Sequence, residues 1–192
     1  MLDSVEFEGE GIAAKDISGD QGKILQSMET AMGKLNKELK SSSNQDGTKN
    51  NCWGTCTSLA KNHEVDPNGN TGIVDYIKML TEEFKNVKSG RFGDVVNYTK
   101  NQYGQNIPTH GTLFLLKNDE KGTQIFTKNG EKNSQLYMLM YENEMLKRYT
   151  LYGEQKGIMR TVKKTTVDNL GVTRNEEELI LDKSPFYRSK NK

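Results

Sequence analysis

The chain has 192 residues, enough for one domain with a modest core, and only 33% of them are hydrophobic against 28% charged. Lys and Arg total 27 and Asp and Glu total 26, so no basic field is available for nucleic acid and there is no acidic tail. No apolar run approaches the roughly 20 residues that span a bilayer, and residues 1–10 lack a signal pattern. The expectation is a protein made in the cytoplasm, with no nucleic-acid or membrane partner, that acts elsewhere only by export as an effector or as part of a larger chain.

In chain order, Ser4 to Phe7 reads as a strand in a glycine-rich start. Asp20 is a candidate N-cap. After it Ile24, Leu25, Met28, Ala31, Met32, Leu35 and Leu39 recur at helical spacing, one apolar stripe that stops at Ser41 to Asn44. Residues 1–44 are thus an N-terminal strand and helix packed on a domain that spans 45–192, the two forming one compact unit. A polar loop over 41–51 leads to "NNCWGTCTSLAKNH", residues 50–63, which holds both cysteines, the one tryptophan and one of two histidines. Cys52, Cys56, Leu59 and Ala60 share one face of a helix that Asn50 or Asn51 can cap. Asp66 to Gly72 is a turn-rich break. Ile73, Ile77, Leu80, Phe84 and Val87 form the stripe of a third helix.

After Gly90 the pattern changes to strands: Asp94 to Thr99, Thr109 to Lys117, Gln124 to Lys128 and Gln135 to Glu142, with weaker ones near 148–152, 158–164 and 178–182. The tail, Lys183 to Lys192, is polar apart from Phe186 and Tyr187. Helices first and strands afterwards predict an α+β domain, with helices on a small antiparallel sheet.

The chemistry concentrates at Cys52. At the first turn of a helix, the dipole and the free backbone N–H groups favour a thiolate, the nucleophilic form. Cys56 lies one turn deeper and reads as a small core residue. A disulfide between residues four apart on one helix is disfavoured. Trp53 can wall a site or simply pack.

A cysteine nucleophile needs a base. His63, eleven residues on, lies about 16 Å along the helix axis at 1.5 Å per residue and reads as a helix C-terminal cation. His110 opens "THGTLFLL", the most apolar strand, whose mouth can face a helix N-terminus. A third group orients the imidazole. If the hairpin at "NDEKG" has a four-residue loop, cross-strand partners sum to 239, Asn129 faces His110 and Thr127 faces Thr112; with five they sum to 240 and Lys128 lies diagonal to His110. Asn129 is the first candidate and Thr127 the second. The backbone N–H of Cys52 would serve an oxyanion, helped by Gln45 or Asn50.

Other chemistries fail on residue counts. Two Cys and two His lack the spacing of a zinc site, "HEVDP" has no second histidine four residues on, and no Pro-Cys-x-x-Cys segment exists. The glycines match neither a phosphate loop nor a dinucleotide fingerprint. No metal and no cofactor are expected.

Taken together, "NCWGTCTSLA", "RFGDVVNY" and "THGTLFLLKNDEKGTQIFTKNG" resemble the NlpC-type and CHAP-type branches of the papain-like cysteine peptidases. That family shows a cysteine opening a helix, a Gly-Asp pair leading into a strand and a histidine opening the next strand. Here these are Cys52, Gly93 with Asp94, and His110, within about residues 45 to 130. One departure is Asn51, where the family often has Asp. The resemblance implies a papain-like fold in which the cysteine helix packs on a small antiparallel sheet presenting the histidine. It also implies cleavage of peptide or amide bonds in bacterial cell-wall peptides, with Trp53 and Asp94 as substrate-binding candidates. Similar domains form toxin tails of Rhs-like polymorphic proteins and secretion-system effectors, which implies a cognate immunity protein. Two rival readings stand beside this one. The same acyl-enzyme serves an acyltransferase, a transglutaminase-like enzyme or a deamidase, and a non-catalytic interaction module would use Cys52 and His110 only for packing.

Overall fold

The computed structural model describes residues 4–7, 10–13, 19–45, 47, 49–102, 105–148, 155–156, 158–167, 169–182 and 184–191. In chain order these form β1 (Ser4–Phe7), β2 (Glu10–Ala13), α1 (Gly19–Thr30), a π-helical turn (Ala31–Leu35) and α2 (Asn36–Ser41), then α3 (Cys52–Ala60), α4 (Ile73–Glu82), β3 (Phe84–Val87), β4 (Val95–Gln102) and β5 (Gln105–Asn118). There follow β6 (Gly122–Lys128), β7 (Tyr137–Tyr141), α5 (Glu142–Arg148), β8 (Gln155–Lys156), β9 (Ile158–Val167), β10 (Thr173–Asp182) and β11 (Phe186–Ser189). The chain is α+β. Its main sheet is antiparallel, in the order β3-β11-β4-β5-β6-β7, and short β8 also pairs with β4. β1 with β2 and β9 with β10 form separate hairpins.

The apolar stripe of the first helix does what its spacing predicts. Ile24, Leu25, Met28, Ala31, Leu35 and Leu39 are buried together with Leu59 and Ala60 of α3 and Tyr76 and Leu80 of α4. They cover one face of the sheet, carrying Val95, Leu113, Leu115, Phe126 and Tyr137. The other face carries Val96, Tyr98, Phe114, Ile125 and Met140, covered by Met145 of α5. Asn36, just past the π-helical turn, closes part of the sheet edge: its amide donates to the Tyr137 carbonyl at 2.8 Å and its oxygen accepts the Tyr137 N–H at 2.9 Å. A carboxamide thereby takes the place of a further strand. No helix among the described residues is long and apolar enough to cross a membrane.

Three elements differ from expectation. The third helix stops at Glu82, and residues 84–87 are a strand, because β11 supplies a ladder partner from the far end of the chain. The tail expected to be merely polar inserts Phe186–Ser189 between β3 and β4. The fourth predicted strand gives way at Glu142 to α5. Of the weak strand near 148–152, Arg148 belongs to α5 and residues 149–152 lie outside the described residues. The β5–β6 register satisfies both loop readings in turn: Leu116 and Lys117 pair with Gln124 and Thr123, a sum of 240, while Leu113 and Phe114 pair with Phe126 and Ile125, a sum of 239. A bulge at Leu115 absorbs the extra residue.

Candidate active site

Asn51 sets the position of Cys52. Its extended backbone (φ −109°, ψ 179°) ends the loop, and its side-chain oxygen accepts the Gly54 N–H at 3.0 Å, an N-cap that makes Cys52 the first residue of α3. The loop before it is tied to the β6–β7 connection, where Lys49 N–H donates to the Glu131 carbonyl at 2.7 Å and Asn133 N–H to the Gly47 carbonyl at 2.8 Å. At the other end Asn62 adopts a left-handed conformation (φ 61°) and His63 N–H donates to the Ser58 carbonyl at 2.9 Å, which closes the helix. His63 sits exposed beyond that end, away from Cys52.

Burial pushes the Cys52 thiol up to about 11, against the backbone N–H groups of Gly111, Trp53 and Cys52 itself, which favour its anionic form. The residue is 7% exposed. The thiolate expected from the helix N-terminus is therefore not the resting form at neutral pH, because desolvation overrides the dipole. Cys56 is fully buried, as expected of a core residue, and donates weakly to the Trp53 carbonyl at 3.5 Å.

Gly111 is the point at which α3 meets the sheet. A Cβ there would lie 2.9 Å from both Cys56 Sγ and Tyr76 Oη and 3.1 Å from Trp53 Cδ1. Gly111→Ala must therefore lift the helix or the strand. Overpacking of this kind costs about 1–3 kcal/mol. A urea midpoint equal to wild type would show that the two elements are not seated this closely.

β5 begins at Gln105, because β4 supplies ladder partners back to that residue, so His110 lies within the strand rather than opening it. It sits beside Tyr98 of β4, the ring centroids 6.0 Å apart, and its Nε2 is 3.1 Å from Thr127 Oγ1. Tyr98 in turn donates to Glu142 Oε2 at 2.7 Å. These partners belong to the α5 side of the sheet, whereas α3 packs on the other. The helix that carries Cys52 thus packs on one side of β5, over Gly111, while the His110 imidazole lies on the other. The structure unites His110 with Thr127, the second candidate. Asn129 instead turns its amide to the sulfurs of Met138 and Met140, at 3.2 and 3.4 Å. The β5–β6 pairs nearest His110, Leu113 with Phe126 and Phe114 with Ile125, follow the register in which Asn129 would face it, but the imidazole reaches the Thr127 hydroxyl.

Burial pulls the His110 imidazole down to about 4. In the unfolded chain it protonates near 6.5, so as the pH falls through that window the unfolded state takes up a proton the folded state refuses. Stability is expected to fall by about 3 kcal/mol between roughly pH 6.5 and 4. Urea unfolding of wild type and His110→Gln at both ends of the window measures it; equal slopes would show that the imidazole is not held neutral.

The remaining expectations are redirected. Gln45 donates to the carbonyls of Leu39 and Ser42, and Asn50 donates to the Asp66 carbonyl while accepting from Thr55, so both amide N–H groups are committed away from the sulfur. Asp94 is buried in a two-bond ion pair with Arg188, at 2.8 and 3.0 Å, and accepts the Arg91 N–H, which gives it a structural role. Trp53 stacks on Tyr76 with centroids 5.3 Å apart, and its indole N–H is buried with no hydrogen-bond partner. Lys128 had no expected place in the site, yet it is fully buried, its ammonium donating to the Gly130 and Lys132 carbonyls. The signal was in the β6 alternation, because Lys128 shares the face of core residue Phe126. No group of three or more His, Cys, Asp or Glu suited to a metal ion occurs among the described residues. Compared with models of known families, with curated proteins and with solved structures, the chain has no match.

Proposed function

We propose that the chain is a cysteine-dependent amide hydrolase with a papain-like, NlpC-type or CHAP-type fold, acting on bacterial cell-wall peptides. One observation supports the reading above others: a cysteine at the N-terminus of a helix that packs on β5, the strand that also carries a histidine held by Thr127. In the tautomer with the proton on Nε2, that nitrogen donates to Thr127 and Nδ1 is the basic atom. Attack then moves the thiol proton to His110 as the sulfur bonds the substrate carbonyl. The amine leaves with that proton, and a water activated by the same imidazole hydrolyses the thioester. The N–H of Cys52 at the mouth of α3 is the donor for the oxyanion. Because Cys52 is 7% exposed and the imidazole lies on the other side of β5, the reaction requires a rearrangement that uncovers the thiol and brings the two side chains to one side.

The role of an antibacterial effector with an immunity partner follows from the sequence resemblance. Incubation with purified sacculi, wild type against Cys52→Ala, followed by mass analysis of released fragments, tests the reading. Cleaved peptide crosslinks or stems in wild type alone support it; no amide product from either protein rejects it. Added amines separate hydrolysis from acyl transfer, since only a transferase incorporates them. The burial of Cys52 favours a second reading, an interaction module in which thiol and imidazole only pack. Undiminished partner binding by Cys52→Ser, with no turnover by wild type, supports that reading instead.

A further inference from the structure

A pocket of about 180 Å³ lies where α2, the loop that leads to Cys52 and the β6–β7 connection meet. Leu35 and Leu39, one helical turn apart, give it an apolar wall, to which Pro67 adds. Ser42 and Asn133 supply neutral polar groups. Glu38 and Lys49 bring one negative and one positive charge, and the lining holds no other charged residue.

The two charges share the pocket without pairing. The Glu38 carboxylate has no hydrogen-bond or ion-pair partner among the described residues. The Lys49 ammonium has a neutral one, the Asn68 side-chain oxygen at 3.0 Å. Asn133 is 4% exposed and firmly held. Its Nδ2 donates to the Asn44 carbonyl at 2.8 Å and the Ser42 hydroxyl at 3.3 Å, and its backbone N–H to the Gly47 carbonyl at 2.8 Å. Its side-chain oxygen is buried with no hydrogen-bond partner among the described residues. A buried oxygen left without a donor is costly, and the amide cannot turn to find one without breaking the bonds that hold it. The lining therefore lacks a cation for Glu38, an anion for Lys49 and an N–H for Asn133. A small molecule that carries an ammonium, a carboxylate and a short apolar body supplies all three.

We propose that this pocket binds a zwitterionic amino-acid group, its ammonium on Glu38 and the Asn133 oxygen, its carboxylate on Lys49 and its apolar body against Leu35, Leu39 and Pro67. Such a group arrives as a free amino acid or as a branched peptide residue that keeps both charges. Position favours the peptide. Lys49 N–H donates to the Glu131 carbonyl and Asn50 N–H to the Pro67 carbonyl at 2.9 Å, so the pocket wall and the start of α3 are tied together. Lys49 precedes Cys52 by three residues, at most about 11 Å of extended chain. A peptide anchored here carries its neighbouring amide bonds toward the helix mouth. That use of the pocket rests on Cys52 as the reactive group of the proposed hydrolase; binding of the zwitterion does not.

The test is NMR titration of the isotope-labelled full chain with L-alanine and with D-alanine. Ethylamine and propionate, which carry one charge each, are the controls. Saturable shifts of the Asn133 side-chain amide and the Lys49 N–H are expected with at least one alanine. Glu38→Gln and Lys49→Met should each weaken binding about tenfold, since each removes one charge-assisted contact. Glu38 is exposed and Lys49 half-buried, so both variants should fold. No saturable shift with either alanine overturns the proposal, as does equal affinity for ethylamine or propionate, or wild-type affinity in either variant. Hydrolysis of soluble peptides prepared from sacculi identifies the source of the group. A higher KM in both variants assigns the pocket to the substrate, and an unmoved KM assigns it to a free amino acid. Alanine binding by a chain that cleaves nothing removes the hydrolase and keeps the pocket. Cys52-dependent cleavage without alanine binding does the reverse.

Discussion

Cys52→Ala is expected to lower release of cell-wall fragments by a factor of about 10⁴ or more, to the level of the reaction without protein. The size of the loss follows from what the sulfur would do. It forms the covalent intermediate, and no neighbouring side chain replaces it, because Cys56 is one turn deeper and fully buried. His110→Ala should lose as much, since nucleophile and base act as one unit and their losses do not add. Thr127→Val keeps the side-chain volume and removes the hydrogen bond to Nε2, so it should fall between wild type and His110→Ala. The fold should survive Cys52→Ala, which deletes one atom from a site at the end of a helix still capped by Asn51. Fragment mass analysis and a urea midpoint on the same samples check both halves. Full activity in a folded Cys52→Ala removes the cysteine from the mechanism.

The largest loss of stability is expected from Arg188→Met, about 3 kcal/mol. Asp94 is nearly inaccessible, its side chain 2% exposed, and Arg188 gives it two hydrogen bonds. Removing the guanidinium leaves a buried carboxylate with the Arg91 N–H as the remaining donor to its side chain among the described residues, which is costly. The pair also joins β11 to the turn that feeds β4, and β4 pairs with the strand carrying His110. Asp94→Asn distinguishes structure from substrate binding. A structural Asp94 loses stability with the same concentration dependence on substrate. A substrate ligand raises KM at unchanged urea midpoint. An unchanged midpoint in Arg188→Met would mean that the ion pair contributes nothing net.

Much of the site was legible because its signals are local. An asparagine before a run of small and apolar residues marks a helix start, so the position of Cys52 at the mouth of α3 follows from a few consecutive residues. The stripe from Ile24 to Leu39 needs only its own 3.6-residue period to declare a buried face. The apolar run after His110 likewise declares a central strand without knowledge of its neighbours.

Register is another matter. The bulge at Leu115 is a property of two strands together, and even the register it leaves does not choose Thr127 over Asn129, which the diagonal reach of the imidazole decides. The same holds for β11, whose few residues carry no strand signal but complete a ladder between β3 and β4 that begins about a hundred residues earlier in the chain. Phe84–Val87 continues the helical stripe in sequence and becomes a strand only because that partner arrives.

The amino-acid order by itself determined the helix that opens with Cys52, the existence of the strand that carries His110 and the α+β class, since each depends on spacing along one short segment. Tertiary structure alone decided which residues touch, on which side of β5 each side chain lies, and that the thiol and imidazole rest neutral. The physical reason is that hydrogen-bond register and desolvation are sums over neighbours brought from distant parts of the chain, and no local pattern contains those sums.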